Sequence, residues 1–331
     1  MARSDRRRRT TLALLGCAAA LLATTGAQAQ SDPWPARTVR IVVAYPPGGS
    51  TDTAARLVAE RLTARLGRQV VVENRAGAGG TIGAASVAKS EPDGYTLLFA
   101  ASPELTISRI TMKELPYDSA KDLQPIALVG QVPFMLVANP AVPSGTLAEL
   151  IAHAKANPGK LSYSSFGNNT SNHLVGELFK LSAGLDAVHV PYKGSAPSIT
   201  DLIGGQVQYT FDTITAVLPH VRSGKLRAVA MATRQRSALA PTVPTMTEGG
   251  MPGFTGGTWF GLLAPSRTPR PVVDRLQSEV DAILRSPDVR KAFEERGIEP
   301  AGGTAQQFTA FIQSEIDKWQ GLANRLGIKP E

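Results

Sequence analysis

The sequence predicts a two-domain α/β protein, each domain a mostly parallel sheet flanked by helices. Three observations predict it. Short apolar runs alternate with stretches of helical periodicity along most of the chain. A unit of strand, polar glycine- or asparagine-rich loop and helix occurs twice, at 39–66 and at 161–184. A Pro/Gly-rich passage at 241–257 then precedes one more strand-like run, which lets the chain return to its first domain. A chain of 331 residues with 43% hydrophobic content can fill two cores of ordinary size.

Each element has its own justification. The apolar run 39–45 reads as a strand, and Ala55, Val58, Leu62 and Leu66 fall at helical spacing before Gly67 stops the helix. A strand at 69–73, a short helix at 81–89, a Pro92-Asp-Gly94 turn and a strand at 95–100 complete a β-α-β-α-β unit. An extended apolar stretch at 125–139, broken by Pro133, is expected to cross into the second domain. There the pattern repeats: helix 147–156, Asn157-Pro-Gly159, strand 161–165, and a helix carrying Leu174, Leu178 and Leu181 that ends at Gly184. Strand 187–192, helix 196–203, strand 206–211, helix 215–222 and strand 226–232 follow, and after the Pro/Gly-rich passage come strand 258–264 and three closing helices. The expected division is 31–131 plus 245–331 for a discontinuous first domain and 132–244 for the second, with two connecting segments, the anatomy of a hinged clamshell.

Residues 1–29 stand apart. Arg3, Arg6, Arg7, Arg8 and Arg9 form a basic segment, 12–22 an apolar one, and Ala27-Gln-Ala29 a small-residue cleavage signal, which together describe a secretory signal peptide. The apolar stretch is shorter than the roughly 20 residues that span a bilayer. Leu14-Leu-Gly-Cys17 loosely resembles a lipobox, but too few apolar residues precede the cysteine. Arg8-Arg9 hints only weakly at a twin-arginine signal, so the general secretory route is expected. No later run is long and apolar enough to span, so the mature chain is expected to be soluble. The single cysteine, Cys17, leaves with the signal, and no disulfide or thiol chemistry remains. The signal supplies half of the formal net charge of +8, and the remaining basic residues are interleaved with acids. No nucleic-acid or anionic-membrane footprint results.

The loop Tyr45-Pro-Pro-Gly-Gly-Ser-Thr-Asp52 joins the first strand to the first helix. A helix N-terminus presents amides with no intrahelical partner, and glycines let an anion approach them. With no lysine or arginine in the loop, a carboxylate there would be held by amides and hydroxyls. Gly49 and Ser50 are the ligand-facing candidates, whereas Asp52 or Thr51 is expected to cap the helix. Phe166-Gly-Asn-Asn-Thr-Ser171 is a second such loop, in which Asn168, Asn169 and Thr170 offer donors or caps. Ser102 follows the third strand on the same edge. Asp212 ends strand 206–211 and either receives a ligand ammonium or caps the next helix. Tyr45 and Tyr192 stand at strand ends, where they either flank the cleft or pack.

Other chemistries lack their residues. Gly77-Ala-Gly-Gly-Thr-Ile-Gly83 misses the dinucleotide spacing and follows the second strand, so no nicotinamide or other cofactor is expected. His153, His173, His189 and His220 show no metal-ligand spacing, so no metal is expected. His173, in the first turn of its helix, either lines the pocket or serves packing and capping. No G-x-S-x-G elbow supplies a nucleophile, and no catalytic residue is assigned.

The motifs Val42-Val-Ala-Tyr-Pro-Pro-Gly-Gly-Ser-Thr-Asp52, Val72-Glu-Asn-Arg-Ala-Gly-Ala-Gly-Gly80, His173-Leu-Val-Gly-Glu-Leu178, His189-Val-Pro-Tyr-Lys-Gly194, Asp201-Leu-Ile-Gly-Gly-Gln206 and Trp259-Phe-Gly-Leu-Leu-Ala-Pro265 occur in order over essentially the whole mature chain. Together they resemble the periplasmic substrate-binding proteins of tripartite tricarboxylate transporters, the Bug-type receptors. The resemblance implies a two-domain periplasmic-binding-protein (Venus flytrap) fold and a monomer in the periplasm. It also implies a small organic carboxylate bound between the domains and delivered to membrane permease subunits. In the family the carboxylate is held by two loops that fall here on Gly48, Gly49, Ser50 and Thr51 and on Asn168, Asn169 and Thr170, often through ordered water. Tyr45 stands where phenylalanine is common, and Ala101-Ser-Pro-Glu104 replaces a usual small or hydroxylated stretch, so ligand identity does not carry over. An exported enzyme acting on small carboxylates and a ligand sensor for a signalling partner are the alternative readings.

Overall fold

The computed structural model describes residues 34–330. The export signal read at 1–29, with Cys17, lies outside the described residues. Residues 34–36 group with the chain before them, and the architecture below is that of the unit from Arg37 onward.

Strand β1 (Val39–Val43) pairs in parallel with β2 (Val70–Asn74) and β3 (Thr96–Ala101). Ile41, Val42 and Val43 have no exposed surface, as befits strands covered on both faces. The crossovers are helices α1 (Ser50–Leu66) and α2 (Thr81–Ala88). Helix α1 stops where Gly67 turns left-handed and donates its N–H to Thr63 O. Strand β9 (Gly257–Pro265) lies antiparallel between β3 and the first part of β4 (Leu123–Ala138).

β4 corrects the expectation of a break at Pro133. The strand runs straight through it. Residues up to Pro133 pair with β9, and from Phe134 to Ala138 the partners are β7 (Tyr209–Thr213) and β8 (Arg227–Met231). The missing proline N–H falls where one ladder ends and the other begins, so the substitution for an amide costs little. On the far side β7 joins β5 (Leu161–Ser165), which joins β6 (Ala187–Pro191), both in parallel. Their connections are α4 (Leu147–Ala156), α5 (Ser171–Ala183), α6 (Ser195–Ile203) and α7 (Ile214–Arg222). The sequence did not predict the segment after β3, a buried π-type turn at Pro103–Ile107 that runs into the single-turn helix α3 (Ser108–Thr111).

The return passage stays with the second sheet up to residue 256. Phe134 N donates to Gly256 O at 3.0 Å, Gly256 N donates to Ala232 O at 2.9 Å, and Met246 and Phe254 pack in the second core. Beyond β9 come α8 (Arg270–Arg285), α9 (Pro287–Glu294), the two-residue β10 (Glu299–Pro300) on β4, and α10 (Ala305–Leu326). Two apolar clusters stand out among the described residues. Val42, Leu98, Trp259 and Phe308 belong to one, and Phe134, Tyr163, Phe179 and Phe211 to the other. Helix α10 serves both, with Phe308 in the first and Trp319, Leu322 and Ala323 in the second. Among the described residues no helix is long and apolar enough to cross a membrane.

Candidate functional site

Three helices start at one cavity. It lies between the two sheets' loop ends, measures about 540 Å³ with open solvent at its mouth included, and is lined by Gly49, Ser50 and Thr51 at α1, Phe166 and Ser171 at α5, and Gly194 to Pro197 at α6. The N-cap residues Gly49, Thr170 and Gly194 make no side-chain cap hydrogen bond to their own helices. Their first-turn amides have no intrahelical partner, and each helix adds partial positive charge at that end. No charged side chain lines the cavity. It is therefore polarised for an anion by backbone alone.

Asp52 explains how the first loop keeps its shape. It sits in the first turn, and its Oδ2 accepts the Gly48 N–H at 3.0 Å and the Arg56 Nε–H at 2.9 Å, while Oδ1 accepts from Asn74 Nδ2 at 2.9 Å. Burial pushes this carboxyl up, but the hydrogen bonds from Arg56, Asn74 and Gly48 outweigh it and hold the carboxyl below its ordinary range. The Gly48 amide is thus spent inside the loop, and Gly49, Ser50 and Thr51 beyond it line the cavity.

Tyr45 lines the cavity through a ring fixed at its hydroxyl, which lies 2.9 Å from Glu104 Oε2 and 3.2 Å from Gly79 O. Glu104 has no exposed surface and its Oε1 accepts the Ala101 N–H at 2.7 Å. Burial pushes this acid up to about 8, more than its hydrogen bonds with Ala101 and Tyr45 pull it down. The Tyr45 hydroxyl donates towards Glu104 Oε2 and Gly79 O, which fixes the ring from behind.

The second loop adjoins a further chamber, lined by Gly77 to Gly80 on one side and by Asn168, Asn169, Tyr192 and Lys193 on the other. Tyr45, Pro46, Phe166 and Gly194 line both spaces and form the wall between them. Of the candidates named from sequence, Tyr45, Gly49, Ser50 and Thr51 meet at the cavity, and Asn168, Asn169 and Tyr192 meet at the chamber. The Tyr192 hydroxyl donates to Asp201 Oδ2 at 2.7 Å. Three candidates lie behind these surfaces. Ser102 is fully buried with its hydroxyl 3.3 Å from that of Thr258. Thr170 is fully buried and donates to Gly167 O at 2.7 Å. Asp212, also fully buried, accepts from Ser195 Oγ at 2.7 Å and from Thr213 N at 2.6 Å, and burial pushes its carboxyl up to about 7. It supports the start of α6 and does not line the cavity.

Sequence reasoning missed that third helix start. The signal was present, because Gly194-Ser-Ala-Pro197 stands between a strand and a helix just as the first two loops do. Gly194 closes the motif His189-Val-Pro-Tyr-Lys-Gly194, and no local signal marks Ser195 as part of a site. His173 turns away from the cavity, and its Nδ1 accepts the Asn169 N–H at 3.1 Å. Among the described residues no group of three or more His, Cys, Asp or Glu is placed to hold a metal ion.

Comparison with known proteins places these features in context. Residues 54–328 match the family described as tripartite tricarboxylate transporter family receptor. The chain is 41% identical over 319 residues to protein BugT of Bordetella pertussis, covering 96% of this chain and 98% of that protein. It superposes on the structure of R. palustris Rpa4515 with adipate at a TM-score of 0.88 and 36% identity, covering 90% of this chain and all of the other. The periplasmic binding protein BugD gives a TM-score of 0.86 at 34% identity over 90% of this chain and 100% of its own.

Proposed function

This chain belongs to the tripartite tricarboxylate transporter family receptors, which are solute-binding proteins and not enzymes, and from that premise we propose that it captures a small organic carboxylate between its two lobes and delivers it to the membrane subunits of such a transporter. The proposal places it in the periplasm, exported through residues 1–29. The observation that carries it is the cavity with three uncapped helix starts and no charged lining. The adipate in a 36% identical neighbour agrees with that chemistry.

Amides suffice energetically. Four to six charge-assisted hydrogen bonds, each contributing about 1.5–3 kcal/mol before ordering costs, reach the roughly −8 kcal/mol of micromolar binding. Closure of the lobes raises their worth by removing competing water. A free amino acid fits less well, because Asp212, the acid nearest in sequence logic for its ammonium, is buried and already bonded to Ser195 and Thr213. We divide the lobes where β4 changes partners, at Pro133, and where the chain re-enters β9, at Gly257, so that 245–256 goes with the second lobe.

Calorimetry with adipate, malate and the uncharged diamide of adipate tests the reading. At least one carboxylate is expected to bind with Kd of about 1–100 μM, and the diamide not at all. Carboxylates that fail to bind while a neutral sugar does would overturn it. Native mass spectrometry of protein taken from its host's periplasm provides the independent check, since retained ligand identifies itself by mass.

A further inference from the structure

We propose that His173 is a positioning residue for ligand binding: as a neutral imidazole it holds the Gly167–Asn169 loop in its binding shape, so that acidification releases the loop and with it the ligand. The inference rests on the proposed carboxylate function: Gly167, Asn168 and Asn169 line the chamber beside the cavity, and Phe166 and Ser171, which flank them in the chain, line the cavity itself.

The geometry is that of a latch. Asn169 holds a left-handed φ of 61°, a conformation that asparagine tolerates better than most non-glycine residues and that aims its N–H back at the helix. Its N–H donates to His173 Nδ1 at 3.1 Å from one turn into α5. An acceptor at Nδ1 fixes the proton of the neutral ring on Nε2. Protonation puts a second N–H on Nδ1, aimed at the Asn169 N–H. Two donors then face each other, and the loop must turn away.

A second histidine secures the other end of the loop. His189 Nε2 lies 2.6 Å from Ser165 Oγ, and that hydroxyl both accepts the Gly167 N–H at 3.2 Å and reaches Gly167 O at 3.0 Å. The rings of His173 and His189 stack at 4.0 Å between centroids and 19° between planes. Two imidazolium ions at that distance repel strongly, so a proton on one opposes a proton on the other. Tyr163 of β5 stacks on the outer face of His189 at 4.9 Å. The charged groups facing the pair are Glu177 and Lys180 of α5. Glu177 accepts from Tyr163 OH at 2.6 Å and from Lys180 Nζ at 2.9 Å, so its charge is already partnered.

These surroundings disfavour the charged rings. Burial lowers His173 below its ordinary 6.5, with Glu177 opposing and Lys180 adding to the shift. Burial, then the neighbouring His173, brings His189 down to about 3. The sign follows. The folded loop is fully stabilised above 6.5, and that contribution is lost as pH falls through the lowered value of His173.

The test uses the mature chain, its His173→Gln variant and its His173→Phe variant. Glutamine offers an acceptor at this position that does not titrate, whereas phenylalanine keeps the stack without an acceptor. Long-range ¹⁵N NMR of the imidazoles is expected to find His173 Nδ1 unprotonated at neutral pH, with the Asn169 amide shift following the titration of that ring. Below about pH 6.5 the adipate affinity of the wild type is expected to fall more steeply than that of His173→Gln, by at most about tenfold per pH unit. The comparison cancels the ligand's own titration. His173→Phe is expected to bind about tenfold more weakly at about pH 7.5, the loss of one structured hydrogen bond. A proton on Nδ1 at neutral pH, an Asn169 amide indifferent to the ring, or parallel pH profiles for wild type and His173→Gln would overturn the inference. If adipate binds to none of the three, malate takes its place in the same comparison; if no carboxylate binds while a neutral sugar does, the carboxylate reading fails by itself, and the NMR titration still decides the latch.

Discussion

At Glu104 burial decides the chemistry of the side chain. It is an acid with no exposed surface, one side chain behind the cavity wall, and it fixes the Tyr45 ring that forms that wall. Its raised value of about 8 against an ordinary 4.5 sets a definite pH dependence. Below 4.5 both folded and unfolded states are protonated and no penalty arises. As pH climbs towards 8 the unfolded state ionises while the folded one does not, so stability falls. Glu104→Gln keeps an acceptor for Ala101 N–H and a donor for Tyr45, and it cannot ionise. Its stability relative to wild type is therefore expected to rise between pH 5 and pH 8 by on the order of 2–4 kcal/mol. Urea unfolding at the two pH values measures this; equal differences would mean that Glu104 titrates normally.

At the scale of the element, each of the three helix starts contributes amides and little else. Ser50 is the first residue of α1 and follows Gly49 in an extended conformation, with φ −80° and ψ 172°. Proline suits that position, because its fixed φ matches the first helical residue and the missing N–H was not used by the helix. Ser50→Pro is therefore expected to melt within a few degrees of wild type yet bind adipate at least about tenfold more weakly, having lost one charge-assisted bond. Calorimetry beside a melting curve separates the two effects. Unchanged affinity in a folded variant would mean that the Ser50 amide does not touch the ligand. The start of α6 offers a different lever. A Cβ on Gly194 would lie 3.2 Å from Pro46 Cγ of the opposite lobe, in a backbone with φ +123° that side chains rarely adopt.

At the scale of the molecule, that contact and a Cβ-to-Asn168 O distance of 3.3 Å at Gly79 describe lobes that meet across the ligand space. Parting of the lobes would widen the way in, and the chain passes between sheets at Pro133–Phe134 and Gly256–Gly257, where such a motion would hinge. Small-angle scattering is expected to give a larger radius of gyration for the free protein than for the protein saturated with adipate. Identical curves with a confirmed ligand would place entry elsewhere than between the lobes. Helix α10 limits how far they part, since Phe308 and Trp319 anchor it in the two different cores.

Much of this was legible in the chain before any coordinates. The strand–loop–helix units were readable because their signals are local: apolar periodicity, a glycine or asparagine at the turn, and small polar residues where amides need partners. Those signals determined the α/β class, the repetition of one unit in two lobes, and the glycine- and hydroxyl-rich loops on which the anion-binding proposal rests. Tertiary structure decided the rest. Whether Asp212 at a strand end faces the cavity or its back depends on which sheet covers it, and that is settled by β4, whose passage through Pro133 no local pattern announces. The start of α6 joins the site only because β6 and β5 lie side by side, bringing Gly194 over Pro46 from nearly 150 residues away in sequence. Likewise His173 and His189 stack across two elements, a contact that spacing along the chain cannot encode. Backbone polarity is written residue by residue, whereas the direction in which a side chain is buried is a property of the elements that surround it.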